Sequence, residues 1–328
     1  MKDNMRCVVY EKYGGPEVLE IKSVPIPTIS DKEVLVKVYS VCVTTGDCRL
    51  RSLDMPGGMK FLARLGLGYN KPRNPVPGMM FSGVVESVGS AVTKFKVGDE
   101  VFGSAMKASC EFLKINEDKD IVLKPSNLSF NEAAAVPFGG VSSLIFLRDF
   151  TKLKSGQKIL INGASGELGL FAVQLAKYYN CEVTAVCSGK SFDLVKSLGA
   201  DFVIDYTKEN FMENGKTYDV IFDTIGKITF KNSLNSLVHK GKFVETVASL
   251  LDYLTVLRTS IFGGKKFVAG VAIGKVADLE FLKTLIEEEK IKPIVAKVFS
   301  FEDIARAHAF AEGGTKVGSC IVEVVKHE

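Results

Sequence analysis

The sequence predicts a two-domain α/β protein, a mostly-β unit joined to a doubly wound parallel-sheet unit. Three observations predict it. The 328 residues suffice for about two domains at roughly 100–200 residues each. Residues 5 to about 123 read as short strands broken by turns, whereas the following segment alternates strands with helices, the pattern of a parallel sheet covered on both faces. The first strand-to-helix turn of that segment carries glycines spaced G-x-x-G-x-x-G, which suits a close backbone approach to a phosphate.

In the first unit, "EVLVKVYSV" (33–41) alternates apolar and polar residues as a half-buried strand does. "SGVVESVGSAV" is similar, and "FKVGDEVFG" (95–103) sets a Gly-Asp turn between β-rich runs. Helical periodicity is weak except around 58–65. A long irregular insert, about 50–77, carries "PGG", "KPRNPVPG" and several basic residues; such loops in compact domains are usually functional or mobile. The middle opens on Ser129-x-x-Glu132, a capping box before an apolar run. Six β-rich runs follow at 158–163, 182–187, 201–206, 219–225, 242–247 and 266–271. Between the first two, Leu168, Phe171, Leu175 and Tyr178 recur at helical spacing. In the tail, 277–290 and 302–312 read as helices, and "KPIVAKVF" and "GSCIVEVV" as strands that complete the first unit. The expected division is 1–124 with 272–328, and 125–271.

Composition is that of a soluble globular chain: 46% hydrophobic and 24% charged residues. No apolar stretch of about 18 residues predicts a membrane span, and "MKDNMRCVVYEKYGG" has no apolar leader core. Forty-two basic and thirty-eight acidic residues give +4, interspersed, so no nucleic-acid footprint is expected. The seven cysteines, Cys7, Cys42, Cys48, Cys110, Cys181, Cys187 and Cys320, form no C-x-x-C pair and are expected as free, buried thiols in a reducing cytoplasm. Three histidines, His239, His308 and His327, offer little for a metal site.

In the glycine turn, a buried strand ends at Gly163 and a helix begins near Glu167, with Gly163, Gly166 and Gly169 between and within them. Glycines there allow a tight turn, close backbone approach and close helix–sheet packing, and the helix N-terminus suits a pyrophosphate. Cofactor-binding residues are expected at Gly163, Ala164, Ser165, Gly166, Glu167, Leu168 and Gly169. The second strand ends "AVCSGKSFD". Ser188 and Lys190 stand where an acidic residue would hold a ribose 2′-OH, and a hydroxyl with a cation favours a 2′-phosphate, hence NADPH.

These pieces, in this order, resemble the medium-chain dehydrogenase/reductase superfamily in its zinc-free quinone oxidoreductase-like branch. The resemblance rests on "YGGPEVLE" (13–20), "DEVFG" (99–103), "LSFNEAAAVP" (128–137), "GASGELG", "SLGADFVIDYTKENF" (197–211) and "FDTIG" (222–226), and spans nearly the whole chain. It implies a GroES-like catalytic domain, a Rossmann domain, and a cleft between them for nicotinamide and substrate. Zinc-containing relatives have "G-H-E" where Gly78-Met79-Met80 stands, and a ligand cysteine where Thr44 stands. Thioether and hydroxyl are poor substitutes for imidazole and thiolate on Zn²⁺, so Met79 and Met80 are expected as apolar lining and no metal is expected. The resemblance also implies that Ser142 lies near the nicotinamide, Tyr206 near the 2′-phosphate, and Thr246 and Val271 along the nicotinamide half. The branch usually shows N-P-x-D where Thr44-Thr45-Gly46-Asp47 stands, and a lysine where Ser319 stands.

The chemistry implied is hydride transfer to quinones or α,β-unsaturated carbonyls, which need no Lewis acid. Thr44, Asp47, Arg49 and Tyr69 are the catalytic candidates, Asp47 orienting its loop, Arg49 near the substrate mouth and Tyr69 as proton donor. A 2-enoyl thioester reductase and a non-catalytic NADPH-binding protein are the alternatives. The expected partners are a small carbonyl or quinone substrate and a second copy of the chain, with no nucleic acid and no membrane.

Overall fold

The computed structural model describes residues 3–262 and 264–325; His327 lies outside the described residues. The first unit contains β1 (Asn4–Val9), β2 (Glu20–Pro25), β3 (Glu33–Val43), α1 (Thr45–Ser52), α2 (Lys60–Leu67), β4 (Met80–Val88), β5 (Glu100–Ser104), β6 (Phe112–Asn116) and β7 (Ile121–Leu123). The run to the second unit is α3 (Phe130–Ala134) and α4 (Val136–Ile145). The second unit contains β8 (Lys158–Asn162), α5 (Glu167–Tyr178), β9 (Glu182–Cys187), α6 (Phe192–Ser197), β10 (Phe202–Asp205), β11 (Tyr218–Asp223), α7 (Phe230–Ser233), β12 (Leu237–Glu245), α8 (Leu250–Ile261) and β13 (Lys266–Ala269). The tail contains α9 (Val276–Glu287), β14 (Val295–Ser300), α10 (Ile304–Glu312) and β15 (Ser319–Glu323).

All six β-rich runs of the middle segment are strands of one parallel sheet, ordered β10-β9-β8-β11-β12-β13. The order reverses between β8 and β11, so a crevice opens beyond their carboxyl ends, where open α/β sheets bind ligands. Helix α5 is buried almost all round, with Phe171 and Leu175 inside and Tyr178 exposed, because it lies between the sheet and α4.

β14 and β15 join the seven-stranded sheet β14-β15-β3-β4-β5-β7, with β6 also on β3. The eleven-residue β3 is its spine: the inward Val34, Val36 and Val38 are fully buried against Phe81 and Val101. Helix α9 behaves differently from the strands that follow it. Its Leu279, Leu282, Leu285 and Ile286 enter the same apolar cluster as Leu144 and Phe171 of the parallel-sheet unit.

Two expectations are corrected. Cys7 and Cys110 are not free thiols: an isolated antiparallel bridge seats them opposite each other and they form a disulfide. The other five cysteines are free and buried. Residues 45–52 are helix, not loop, so Asp47 and Arg49 sit on α1, and part of the insert is the helix α2. The helical run Phe130–Phe150 is long and apolar enough by composition to cross a membrane, but 78% of its window is buried inside the protein, as a core helix is.

Candidate functional site

At Gly163 and Gly169 the glycine turn leaves no room for a side chain. Gly163 has φ +78°, and a Cβ there would lie 2.6 Å from Ile225 and 2.7 Å from Thr224 Oγ1. A Cβ at Gly169 would lie 2.2 Å from the Gly163 carbonyl oxygen, so α5 rests directly on the turn. Gly166 is the N-cap of α5 and has no side chain to cap with; a Cβ there would meet only the Gly163 oxygen, at 3.3 Å. The first N–H groups of α5 have no acceptor within the helix, and its dipole adds positive potential. The amides of Gly163 and Ala164 both donate to the Val186 carbonyl, at 3.1 and 3.0 Å. The cradle fits a pyrophosphate.

Asp223, fully buried at the end of β11, shapes the facing loop. Its Oδ1 accepts from Asn162 Nδ2 at 3.0 Å and from the Ile225 N–H at 3.1 Å, and its Oδ2 accepts from the Lys227 and Ile228 N–H groups at 3.0 and 3.1 Å. Sequence reasoning missed this organiser, although its motif "FDTIG" was visible. Thr246, half-buried past the end of β12, donates its N–H to the Asp223 carbonyl at 3.3 Å.

Ser188 and Lys190 follow the carboxyl end of β9, and Tyr206 follows that of the neighbouring β10. Ser188 is half-buried, Lys190 is exposed, and Tyr206, 64% exposed, donates its N–H to the Cys187 carbonyl at 3.3 Å. Asp205, which the sequence reading did not single out, accepts from the Thr207 N–H and Oγ1 at 3.0 and 2.7 Å and lies across from Gly189. Those bonds hold its carboxyl below the usual range.

Two cavities adjoin, one between the units and one within the first unit, and Met79 is in the wall of both. One is lined by Met79, Met80, Phe138, Ser142, Ala272 and Gly274. The other is lined by Tyr10, Asp47, Leu50, Asn74, Met79 and Met106. Met80 is buried with Cys42, Ala134, Ala135 and Ile321. Val271 is 71% exposed, just before the residues that line the first cavity.

The catalytic candidates do not all converge. Thr44 is fully buried as the N-cap of α1. Its Oγ1 donates to Asp47 Oδ2 at 2.7 Å, its N–H donates to the same oxygen at 2.9 Å, and the Asp47 N–H donates back to Oγ1 at 3.1 Å. Burial pushes the Asp47 carboxyl up to about 6 against these bonds. Arg49 is half-buried and lines neither cavity. Tyr69 is 58% exposed, stacked with the Arg64 guanidinium, and lines neither cavity. Tyr10 is the tyrosine at the second cavity, and burial raises its phenol to about 12. Sequence reasoning missed it because it lies far along the chain from the insert. His308, buried on α10 beside Cys48, is pushed by burial down to about 3 and stays neutral. Among the described residues no cluster of three or more His, Cys, Asp or Glu side chains could hold a metal ion.

A parallel sheet with a glycine cradle at its reversal point, closed by a mostly-β unit, defines a two-domain dinucleotide-dependent oxidoreductase. The family pattern described as the alcohol dehydrogenase GroES-like domain matches residues 30–167, and that described as zinc-binding dehydrogenase matches residues 198–322. The chain is 32% identical over 97% of its length to the chloroplastic NADPH-dependent alkenal/one oxidoreductase of Arabidopsis thaliana, covering 79% of that protein. It is 33% identical over 97% of its length to the chloroplastic quinone oxidoreductase of Triphysaria versicolor, covering 98% of it. The solved quinone oxidoreductase of Coxiella burnetii superposes with a TM-score of 0.86 at 25% identity, over 98% of this chain and all of that one. The chain belongs to the medium-chain dehydrogenase/reductase superfamily, in its quinone oxidoreductase-like branch. The two plant relatives named above are chloroplastic, so the comparisons do not support the expected cytoplasmic placement.

Proposed function

We propose that the chain uses NADPH to reduce quinones and α,β-unsaturated carbonyls without a zinc ion. The observation that carries the reading is the pair of cavities sharing Met79, one of them lined by Phe138 and Ser142 of α4, the helix packed on α5. At the two positions where zinc-containing relatives place ligands, Met79 offers a thioether and Thr44 a hydroxyl already engaged in capping α1. Such donors hold Zn²⁺ poorly.

The backbone of Gly163 to Gly169 would hold the pyrophosphate, Ser188, Lys190 and Tyr206 the 2′-phosphate, and Ser142, Thr246 and Val271 the nicotinamide half. A bound nicotinamide supplies the hydride. The chain's own residues orient the acceptor and exclude water. Met79, Met80 and Phe138 give the cleft an apolar wall that keeps solvent from the reacting carbon. Tyr10, whose phenol stays protonated at neutral pH, holds a proton facing the second cavity, where an acceptor oxygen gains charge. Asp47 fixes the first turn of α1 behind it. Tyr69 and Arg49 would reach an acceptor only from outside these cavities. The exposed Phe61, Leu62 and Leu65 of α2, among Lys60 and Arg64, favour an acyl thioester as a second acceptor class.

The resemblance also leads us to propose a homodimer, through β13 at the free edge of the parallel sheet. Cytoplasmic residence is part of the same proposal, and recovery in the cytosolic fraction on cell fractionation would bear it out.

The test is titration with NADPH and NADH, then turnover on a quinone, a short enal and a crotonyl thioester, with metal analysis of the same sample. Tighter NADPH binding, turnover of the quinone or enal, and sub-stoichiometric zinc are expected. Equal affinity for NADH, one zinc per chain, or no turnover on any acceptor overturns the reading.

A further inference from the structure

Glu167 is the first residue of α5, so its N–H belongs to the cradle, yet its carboxylate is buried beneath it. A carboxylate at that place opposes the binding of an anion. It is compensated from the other unit. Lys316 Nζ lies 3.2 Å from Glu167 Oε2, both side chains almost wholly buried, and the Cys42 thiol donates to Oε1 at 3.2 Å. Burial, the largest single influence, works against the Lys316 charge, but the Glu167 charge and hydrogen bond, together with the neighbouring Cys42 and Cys320, raise the ammonium above the usual lysine value. Burial, then the Glu167 charge, pushes the Cys42 thiol well up, so it stays a neutral donor. The backbone repeats the connection: Gly318 pairs with Gly166 in an isolated parallel bridge, and the Gly318 N–H donates to the Ser165 carbonyl at 3.1 Å. The tail segment carrying Lys316 is thus fastened to the glycine turn itself.

We infer that Lys316 sets dinucleotide affinity by neutralising Glu167, and that the tail thereby keeps the α5 N-terminus attractive to a pyrophosphate. Lys316 is a positioning residue: it acts through Glu167. The argument is electrostatic. The partial positive charge of a helix N-terminus is about half an elementary charge, so one uncompensated carboxylate in the first turn would more than cancel it. A buried pair broken on one side leaves a costly lone charge; here that charge would face the incoming phosphates. The resemblance implied a lysine at 319, where this chain has a buried serine. A cation three residues earlier instead meets a glutamate inside the glycine motif.

This rests on the dinucleotide reading above, and a binding experiment separates the two. The full-length chain and its K316M, K316R, E167Q and E167Q/K316M variants are titrated with NADPH, with ADP-ribose, which keeps the pyrophosphate, and with 2′-phosphoadenosine, which lacks it. Thermal unfolding without ligand is followed in parallel. K316M is expected to weaken NADPH and ADP-ribose by about tenfold or more, the effect of one charge partner on an ionised hydrogen-bonding site, with 2′-phosphoadenosine much less affected. E167Q/K316M recovers most of the loss, E167Q alone binds at least as tightly as the natural chain, and K316R keeps the affinity. An unchanged K316M, a double variant no better than K316M, or equal losses for all three ligands overturns the inference. If K316M does not fold, E167Q decides: a loss of tenfold or more in NADPH affinity overturns the proposal, and retained or tighter binding supports it. A natural chain that binds no NADPH sinks the dinucleotide reading itself.

Discussion

At the scale of the residue, the three glycines of the turn do three different jobs, and substitution separates them. Gly169 has no room: a Cβ would stand 2.2 Å from the Gly163 oxygen and 2.6 Å from Ala164 Cα, both backbone. Neither neighbour can rotate away, so Gly169→Ala must push α5 off the sheet, at a cost of about 1–3 kcal/mol for an overpacked site. Gly166→Ala meets one atom, the Gly163 oxygen at 3.3 Å, which a shift of a few tenths of an ångström relieves; what it narrows is the mouth of the cradle. G169A is therefore expected to lower both folding stability and NADPH affinity, and G166A to lower NADPH affinity with stability nearly unchanged. Denaturant unfolding and ligand titration on both variants check this. A stable G169A, or a G166A that binds as the natural chain does, would show that the turn is not packed as described. Gly163 carries the third requirement, its left-handed φ, which other L-residues adopt only at a cost.

At the scale of the element, α1 shows how a functional-site motif and a structural one can occupy the same residues. "TTGDCRL" invited a loop reading because threonine, glycine and aspartate are poor helix formers. Thr44-x-x-Asp47 is nevertheless a capping box with both reciprocal bonds made, and that spacing was the signal available in the sequence. Arg51 then ties the helix onward: fully buried, it pairs with Glu312 of α10, and its Nε donates to the Gly14 carbonyl at 3.2 Å. Thr44→Ala removes the cap and leaves the buried Asp47 carboxylate with one fewer donor. A loss of about 1–2 kcal/mol is expected, read as a lower denaturation midpoint, with NADPH affinity unchanged because the cradle belongs to the other unit. Unchanged stability would remove the cap assignment. Weaker NADPH binding at unchanged stability would instead place Thr44 against the cofactor. The strands and the glycine turn were legible because period-2 alternation and a fixed glycine spacing are local signals. The Cys7–Cys110 bridge spans 103 residues, and Tyr10 meets Asp47 only through the folded sheet; contacts of that range leave no periodic trace in one sequence.

At the scale of the whole molecule, the parallel sheet has two ends that are finished differently. At β10 the edge strand is four residues long and bounded by the polar turn after Asp205, a common way to blunt an edge. β13 is also four residues long, but the helix packed on it leaves apolar side chains in the open. Beside it α8 exposes Leu250, Leu251, Leu254, Leu257 and Ile261, each at least half exposed, and Val271 and Ile273 follow at 71% and 78%. Scattered exposed leucines need no explanation, but such a set beside an unpaired strand is what the proposed homodimer would cover. Strand addition across a twofold axis would pair β13 with its copy, and an isologous interface would bring the same apolar set together twice. Sedimentation equilibrium is expected to give twice the chain mass for the natural protein. Placing charge at the centre of that set, with L257D/I273D, should return the chain to a monomer whose glycine cradle still binds NADPH, since neither side chain is part of the turn. A monomeric natural protein, or a double variant that stays dimeric, would mean that the β13 edge is covered by something other than a second copy.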